Sequence, residues 1–392
     1  MTSFGSHTPR GRRASGRQAA AGFSKGQLFF CFMAAFCLLL VLRNADAAVE
    51  YMGRGLRLCV DTVIPSLFPF MVISELLVRS GAGEVLGRVC ARPMKWLFGL
   101  SGAGSTAVVL GSLCGFPMGA RTAVGLLDRG AITREECAHL LTFSNNPSSA
   151  FLITAVGISL FGSRQIGVLL YLTVLGSGLL TGLLFRLLLR RHGDGACAHT
   201  TCVHTSSGLH PGGVDTFTAS VTGAASGMLT VCAYVVFFST LSGILSAAAF
   251  RSAGAIPPTL WALLCGFLEL SGGISEASAL PDAGTALVVS AAVAGWSGLS
   301  VHCQVMSMCE GRGISFGPYI LAKAVQGALC AGVMRLLLCV LPAGRPGASA
   351  VSTAALPAVG GLLPAGRVFP PAVTLTAFAV SFLVWLRERA GK

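Results

Sequence analysis

Long apolar runs separated by short stretches rich in Gly, Pro, Arg and Lys extend along the chain from Leu28 to Leu386. A helix needs roughly 20 apolar residues to cross about 30 Å of hydrocarbon. Eight runs are read as crossings: Leu28–Leu42, Leu58–Val78, His139–Phe161, Ile166–Leu189, Ala219–Phe250, Ala286–Met308, Leu321–Leu341 and Phe369–Leu386. Two further stretches are interrupted. Trp96–Leu127 contains SGAGS and CGFPMG, and Leu260–Leu280 contains GFLELSGG. Gly and Pro at such points favour half-spans over one straight helix, and irregular backbone survives at membrane depth only inside protein or beside a cavity. Both stretches are therefore expected to be re-entrant hairpins.

Composition sharpens this picture. The chain is 53% hydrophobic and 11% charged, against roughly 25% charged in soluble domains. An ordinary soluble enzyme is excluded, and so is disorder, because so apolar a chain has ample surface to bury. The fold class is all-α, a polytopic protein of the lipid bilayer. The net charge of +13 does not indicate nucleic acid, because the basic residues punctuate the gaps between apolar runs instead of lining one face. That spacing follows the positive-inside rule. It puts the N-terminus, the loop Arg79–Lys95, Arg129, Arg134, Arg190 and Arg191 in the cytoplasm, and leaves Lys323 and Arg335 within a span. The first run follows a basic stretch but lacks a clean small-residue cleavage context, since Asp46 interrupts it; it is expected to be a retained helix. Most of the 14 cysteines lie inside apolar runs, where Cys packs as a small hydrophobe and implies no oxidising compartment.

The string CGF occurs at Cys114–Phe116 and again at Cys265–Phe267, once in each hairpin, and further along each half a polar interruption follows: SNNPSSA (Ser144–Ala150) and GWSGLSV (Gly295–Val301). Matched interruptions in two halves of opposite orientation point to a transporter's midplane site. The expected organisation is a basic cytoplasmic tail (1–26), a first membrane repeat with an N-terminal helix (27–190), a His/Gly/Ser-rich linker (191–216), a second repeat (217–342), a Pro/Gly/Ala-rich loop (343–368) and a C-terminal helix (369–392).

Five ordered blocks carry a resemblance: VIPSLFPFMVISELL (Val63–Leu77), GFPMGARTAVGLLDRGAITREE (Gly115–Glu136), LLTFSNNPSSAFLITAVG (Leu140–Gly157), GFLELSGGIS (Gly266–Ser275) and GLSVHCQV (Gly298–Val305). Over roughly Leu56–Leu341 the chain resembles the sporulation integral membrane protein YlbJ family, within the nucleoside-recognition or Gate-domain superfamily. The resemblance implies an architecture like that of concentrative nucleoside transporters, a bacterial spore-former, a place in the cell membrane or forespore membrane, and dipicolinate as the suspected solute. The basic tail and the His-rich loop lie outside it.

The candidate site follows from the interruptions. Asn145 and Asn146 bring donors and acceptors beside Pro147, which frees a backbone carbonyl one turn earlier; Ser144 and Ser148 flank them. The second interruption supplies Ser297, Ser300, His302 and Gln304. Hydrogen bonding between helices is the competing use of such groups. Glu269, set between leucines, is an intramembrane carboxylate and hence a functional candidate by default; a salt bridge to Arg121 or Lys323 is the alternative. Glu276, on the same helical face, reads as structural. Arg121 follows CGFPMGA, where a guanidinium at a half-helix start would suit an anion or anchor the chain at the interface. Asp61 and Glu75 flank a run holding Pro65 and Pro69, a kink site. The loop motif C-x-H-x2-C-x-H (Cys197–His204) has zinc-ligand residue types but no common zinc spacing. No Walker A, GxSxG or HExxH string occurs, so neither an ATP-driven pump nor a common hydrolase is indicated, and no enzyme is expected.

The reading is of about eight spanning helices plus two re-entrant hairpins in two inverted repeats. Between them a small anionic or heteroaromatic solute would bind and move by alternating access, with a coupling proton or sodium ion and no other cofactor or metal. A nucleoside carrier or a non-transporting scaffold for spore assembly are the alternatives, and a homo-oligomer is compatible with either.

Overall fold

The computed structural model describes residues 25–79, 82–190, 213–251 and 256–340. Residues 1–24 of the basic tail, the Cys197–His204 motif, the loop 343–368 and the C-terminal helix 369–392 lie outside the described residues. Everything described is helix or connection, with no strand among the described residues.

Two bent pairs begin the chain. Helix α1 (Lys25–Arg43) turns by 101° into α2 (Ala45–Leu58), a π-helical turn (Cys59–Val63) follows, and α3 (Ile64–Arg79) carries Pro69 inside it. Pro65 stands in the first turn of α3, directly after that π-helical turn. Helix α4 (Ala82–Pro93) continues through Met94–Phe98, and the chain then bends by 98° into α5 (Ser105–Cys114). It turns again at Gly115–Pro117 into α6 (Met118–Asp128). Both breaks expected in the first hairpin, at SGAGS and CGFPMG, are therefore present.

A broken helix and a long one come next: α7 (Arg134–Ser144), an unwound stretch over 145–149, the π-helix Phe151–Leu160, and α8 (Arg164–Arg190). Helix α9 (Gly213–Arg251) opens the second half. The same order then recurs: a hairpin of α10 (Pro258–Leu268) and α11 (Leu270–Ser278) interrupted at Glu269, a helix broken at Ser297 into α12 (Ala283–Trp296) and α13 (Gly298–Cys309), and a long α14 (Gly317–Val340). Four segments are long and apolar enough to cross a membrane, namely Arg164–Leu188, Val214–Ala247, Ala283–Cys309 and Gly317–Val340, or six with each bent pair taken as one span. Several of the eight expected runs are thus realised as bent or broken pairs instead of straight spans, because Pro, Gly and Asn divide them.

Burial is inverted relative to a soluble protein. Phe32, Leu42, Leu172, Leu187, Leu229, Leu321 and Leu336 are each more than half exposed, forming the apolar exterior that lipid requires. The interior interlocks the halves. Leu140, Leu141 and Phe143 of α7 pack with Val301 and Val305 of α13 and Tyr319 of α14. Leu152 and Val156 of the π-helix pack with Ile274 of α11 and Ala291 and Val293 of α12.

The ends of the helices are fixed by polar chemistry. Thr133 and Glu136 form a reciprocal capping box at the start of α7, and Glu136 Oε1 also accepts from the Ser101 amide at 2.7 Å. Arg312, just after α13, donates two hydrogen bonds to Asp128 at the end of α6, at 2.7 and 2.8 Å. That pair puts the start of α7 and the end of α13 on one face of the molecule, so the two broken helices run in opposite directions. The Arg312 guanidinium holds the Asp128 carboxyl below its ordinary value. A carboxyl so depressed contributes stability above the ordinary carboxylate range and loses it as pH falls through the lowered value. Both side chains are more than a third exposed, so the pair contributes about 0.5–1 kcal/mol. Asp128→Asn should lower the melting temperature in detergent slightly at neutral pH, and the gap from the wild type should close in strong acid; a gap independent of pH would show that the charge is not responsible.

Candidate substrate site at two helix breaks

Each break rests on the tip of its own hairpin. At the first, the Phe116 amide donates to the Asn146 carbonyl at 2.7 Å. Gly115 at the hairpin tip has φ +79°, and a Cβ there would overlap the Ser148 backbone. Ser144 marks the end of α7, and its carbonyl lies so close to Gly111 and Gly119 that neither could carry a side chain. Ser148 restarts the helix: its hydroxyl accepts from the Phe151 amide at 3.1 Å. At the second break, Ser297 has φ +77°, a strained conformation for a residue with a Cβ. Gly298 follows at φ +83°, with its Cα facing Glu269 and Leu270 at the other hairpin tip. Trp296 stacks on Phe267 and donates to its carbonyl at 3.2 Å.

The side chains at these breaks are buried. Ser144, Asn145, Ser297 and His302 have no exposed surface, and Asn146, Ser300, Gln304 and Glu269 are 5% exposed or less. Helix α14 meets the first break with Lys323 and Gln326, both fully buried. The Lys323 ammonium donates to the Asn145 carbonyl, to Gln326 Oε1 at 2.9 Å and to Asn146 Oδ1 at 3.4 Å. Gln326 Nε2 donates to Asn146 Oδ1 at 2.7 Å, and Asn146 Nδ2 donates to the Phe143 carbonyl at 2.8 Å. Tyr319, one turn earlier on α14, joins the breaks: its hydroxyl interacts with the Asn145 side chain and lies 3.2 Å from His302 Nδ1.

Several polar atoms in this region have no hydrogen bond of full geometry among the described residues: Ser144 Oγ, both side-chain polar atoms of Asn145, His302 Nε2 and Gln304 Oε1. A buried polar group left unpaired costs about 1–3 kcal/mol, so their concentration at two helix breaks is what a polar solute would offset. The other hydroxyls are used locally. Ser297 donates to the Ala294 carbonyl at 3.3 Å, and Ser300 accepts from Gln304 at 3.4 Å.

Other candidates stand elsewhere. Glu269 forms no ion pair with Arg121 or Lys323; its carboxylate accepts from the Ser271 and Gly272 amides at 2.9 and 2.7 Å, capping α11 within the hairpin. Arg121 faces α3 and α9, bonded to Glu75 at 3.3 Å and to the Gly223 carbonyl at 2.7 Å, so it is tied outside the Asn145 cluster. Glu75 also pairs with Arg79 at 2.9 Å. Asp61 is exposed in the π-helical turn before α3, and Glu276 interacts with Trp261. Among the described residues no group of His, Cys, Asp and Glu is arranged to hold a metal ion.

The Gate family model, described as nucleoside recognition, matches residues 60–176, a stretch that contains the first hairpin and the first break. The sporulation integral membrane protein YlbJ of Bacillus subtilis (strain 168) is 27% identical over 338 residues, covering 79% of this chain and 81% of the relative. Residues 60–176 are thus similar to the Gate family, and most of the chain is similar to YlbJ. The family resemblance read from the five sequence blocks therefore holds, and with it the description of a multi-pass membrane protein. No solved structure matches. Of the Gate region's polar break, Ser144, Asn145, Asn146 and Ser148 were legible in the sequence. Lys323 as their partner was not, although its place within a span was; Gln326 and Tyr319 were missed altogether. The available signal was a polar triplet at intervals of four and three residues, Tyr319, Lys323 and Gln326, on one face of an otherwise apolar helix.

Proposed function

We propose that this Gate-domain protein is a membrane transporter for a small anionic or heteroaromatic solute, bound between the two helix breaks. The observation that supports this most directly is the set of buried polar atoms at Asn145, Ser144, His302 and Gln304 that make no hydrogen bond of full geometry among the described residues. The Asn145 amide nitrogen and the Ser144 hydroxyl as donors, with an imidazole nitrogen beside them, suit a solute with both carboxylate oxygens and a ring nitrogen, and dipicolinate has both. The antiparallel course of the broken helices and the recurring order of hairpin, broken helix and long helix support two inverted repeats, and with them alternating access by rocking one repeat against the other. In the full arrangement, eight spans and two hairpins, the N-terminus is cytoplasmic. The relative's sporulation title supports a forespore membrane as the location, and no catalytic step is part of this function.

The test is uptake of radiolabelled dipicolinate into proteoliposomes, with uridine as a second solute. Saturable uptake is expected, and Asn145→Ala should lower its initial rate at least about tenfold, the equivalent of one or two lost hydrogen bonds to a charged solute. Uridine uptake without dipicolinate uptake would reassign the solute to a nucleoside. Absence of both in folded, inserted protein would favour a scaffold.

A further inference from the structure

Lys323 is the one buried cation among the described residues that sits amid neutral oxygens alone. It is fully buried in the first third of α14 and makes no ion pair. Its three N–H bonds find three acceptors: the Asn145 carbonyl freed by the helix break, the Asn146 side-chain oxygen and the Gln326 side-chain oxygen. Asn145 is also the residue that ends α7, where the helix dipole is negative and a positive charge is favoured. A freed carbonyl, two amide oxygens and a helix C-terminus are the ingredients with which unwound transporter helices hold a monovalent cation. A charged ammonium without a carboxylate is a costly way to achieve packing alone. In membrane segments ionisable groups of this kind mark ion or proton pathways.

We propose that the Lys323 ammonium takes the place of a coupling sodium ion at the first helix break, and that gain and loss of its proton accompanies opening of the site. The coupling half of this inference rests on the transport reading above; the cation-site half does not. When Lys323 gives up its proton, its amine keeps one lone pair and loses one of its three donors. At least one of the Asn145, Asn146 and Gln326 oxygens is then released, and the contact between α14 and the break loosens. The groups that share its surroundings are few. Cys330 and Tyr319 lie on α14 itself, and Cys330 acts on Lys323 electrostatically; the Lys323 charge acts in turn on His302 of α13, Tyr171 is carried by α8 and His139 by α7, and α12 carries no titratable residue.

Two measurements on the full chain decide it. The first needs no substrate: melting temperature in detergent, in sodium chloride against choline chloride. The wild type should be insensitive to the exchange. Lys323→Ala, which leaves the three oxygens without their cation, should gain a saturable rise of several degrees with sodium, as expected for a ligand that binds only the folded state. Sodium stabilisation of the wild type equal to that of the variant, or a folded variant indifferent to sodium, overturns the cation-site assignment. The second uses Lys323→Met, which fills the volume and so serves if the alanine variant does not fold. In proteoliposomes an inward proton gradient should accelerate dipicolinate or uridine uptake by the wild type severalfold and leave Lys323→Met unaccelerated, while exchange of the same solute at equal concentrations on both sides continues. Proton acceleration of Lys323→Met equal to that of the wild type overturns the coupling role. If the wild type takes up neither solute, the transport reading fails, and the sodium melting comparison still decides the site.

Discussion

Gly115→Ala should be among the most damaging single-methyl changes at the described residues. Gly115 holds φ +79° at the tip of the first hairpin, and a Cβ there would meet the backbone nitrogen, Cα and Cβ of Ser148. Two costs add. A left-handed backbone at a residue with a side chain costs about 1–3 kcal/mol, and overpacking against a rigid neighbour costs about 1–3 kcal/mol more. Ser148 cannot simply turn aside, since the backbone beside its own is held by the Phe116 bond to Asn146 and its hydroxyl caps the next helix. The expected result is a fall in melting temperature well beyond that of Gly130→Ala, where the left-handed backbone is shared but nothing lies within 4 Å of the added methyl. Equal losses at the two positions would show that backbone strain alone, and not the close approach, is responsible.

Glu269 is the second large effect, and a pair of substitutions separates its two uses. Its carboxylate occupies two backbone amides at the break of the second hairpin. Glu269→Ala strands both, at about 1–3 kcal/mol for each buried amide, and should destabilise the protein strongly. Glu269→Gln keeps the shape and one acceptor oxygen, so the fold should survive with a smaller loss. If the charge contributes to solute or proton handling, Glu269→Gln will be folded and will lose uptake. Uptake near the wild-type level in Glu269→Gln, alongside collapse in Glu269→Ala, would restrict this residue to capping.

The breaks themselves were readable before any coordinates, because their causes are local. Pro147 and Gly298 stand at the breaks, where each disfavours a continuous helix by its own backbone chemistry, and the repeated CGF falls at the tip of the first hairpin and just before that of the second. Arg121 shows where local reading stops. Its position after a hairpin suggested an anion contact, but its partners are Glu75 on α3 and the Gly223 carbonyl on α9, and no sequence spacing links those three residues. Glu269 shows the same limit differently. An intramembrane carboxylate suggested a functional group or a distant counter-charge, and what it meets in the structure is the pair of amides two and three residues further along its own chain. Lys323 was visible as a charge within a span, but what it meets is an Asn pair far away in the sequence, which only packing of α14 against α7 brings into reach.

The bond between Phe116 and Asn146 decides what can travel with what. A hairpin swinging out by itself, as a flap would, has to give up that bond at a buried position and pull Gly111, Gly115 and Gly119 away from the backbone they touch. The second hairpin is fastened to its break in turn through Trp296 and Phe267. Tip and break are in each case one carriage. The joint left to part is the seam where α14 lies along the first break, held by side chains that a single proton can rearrange.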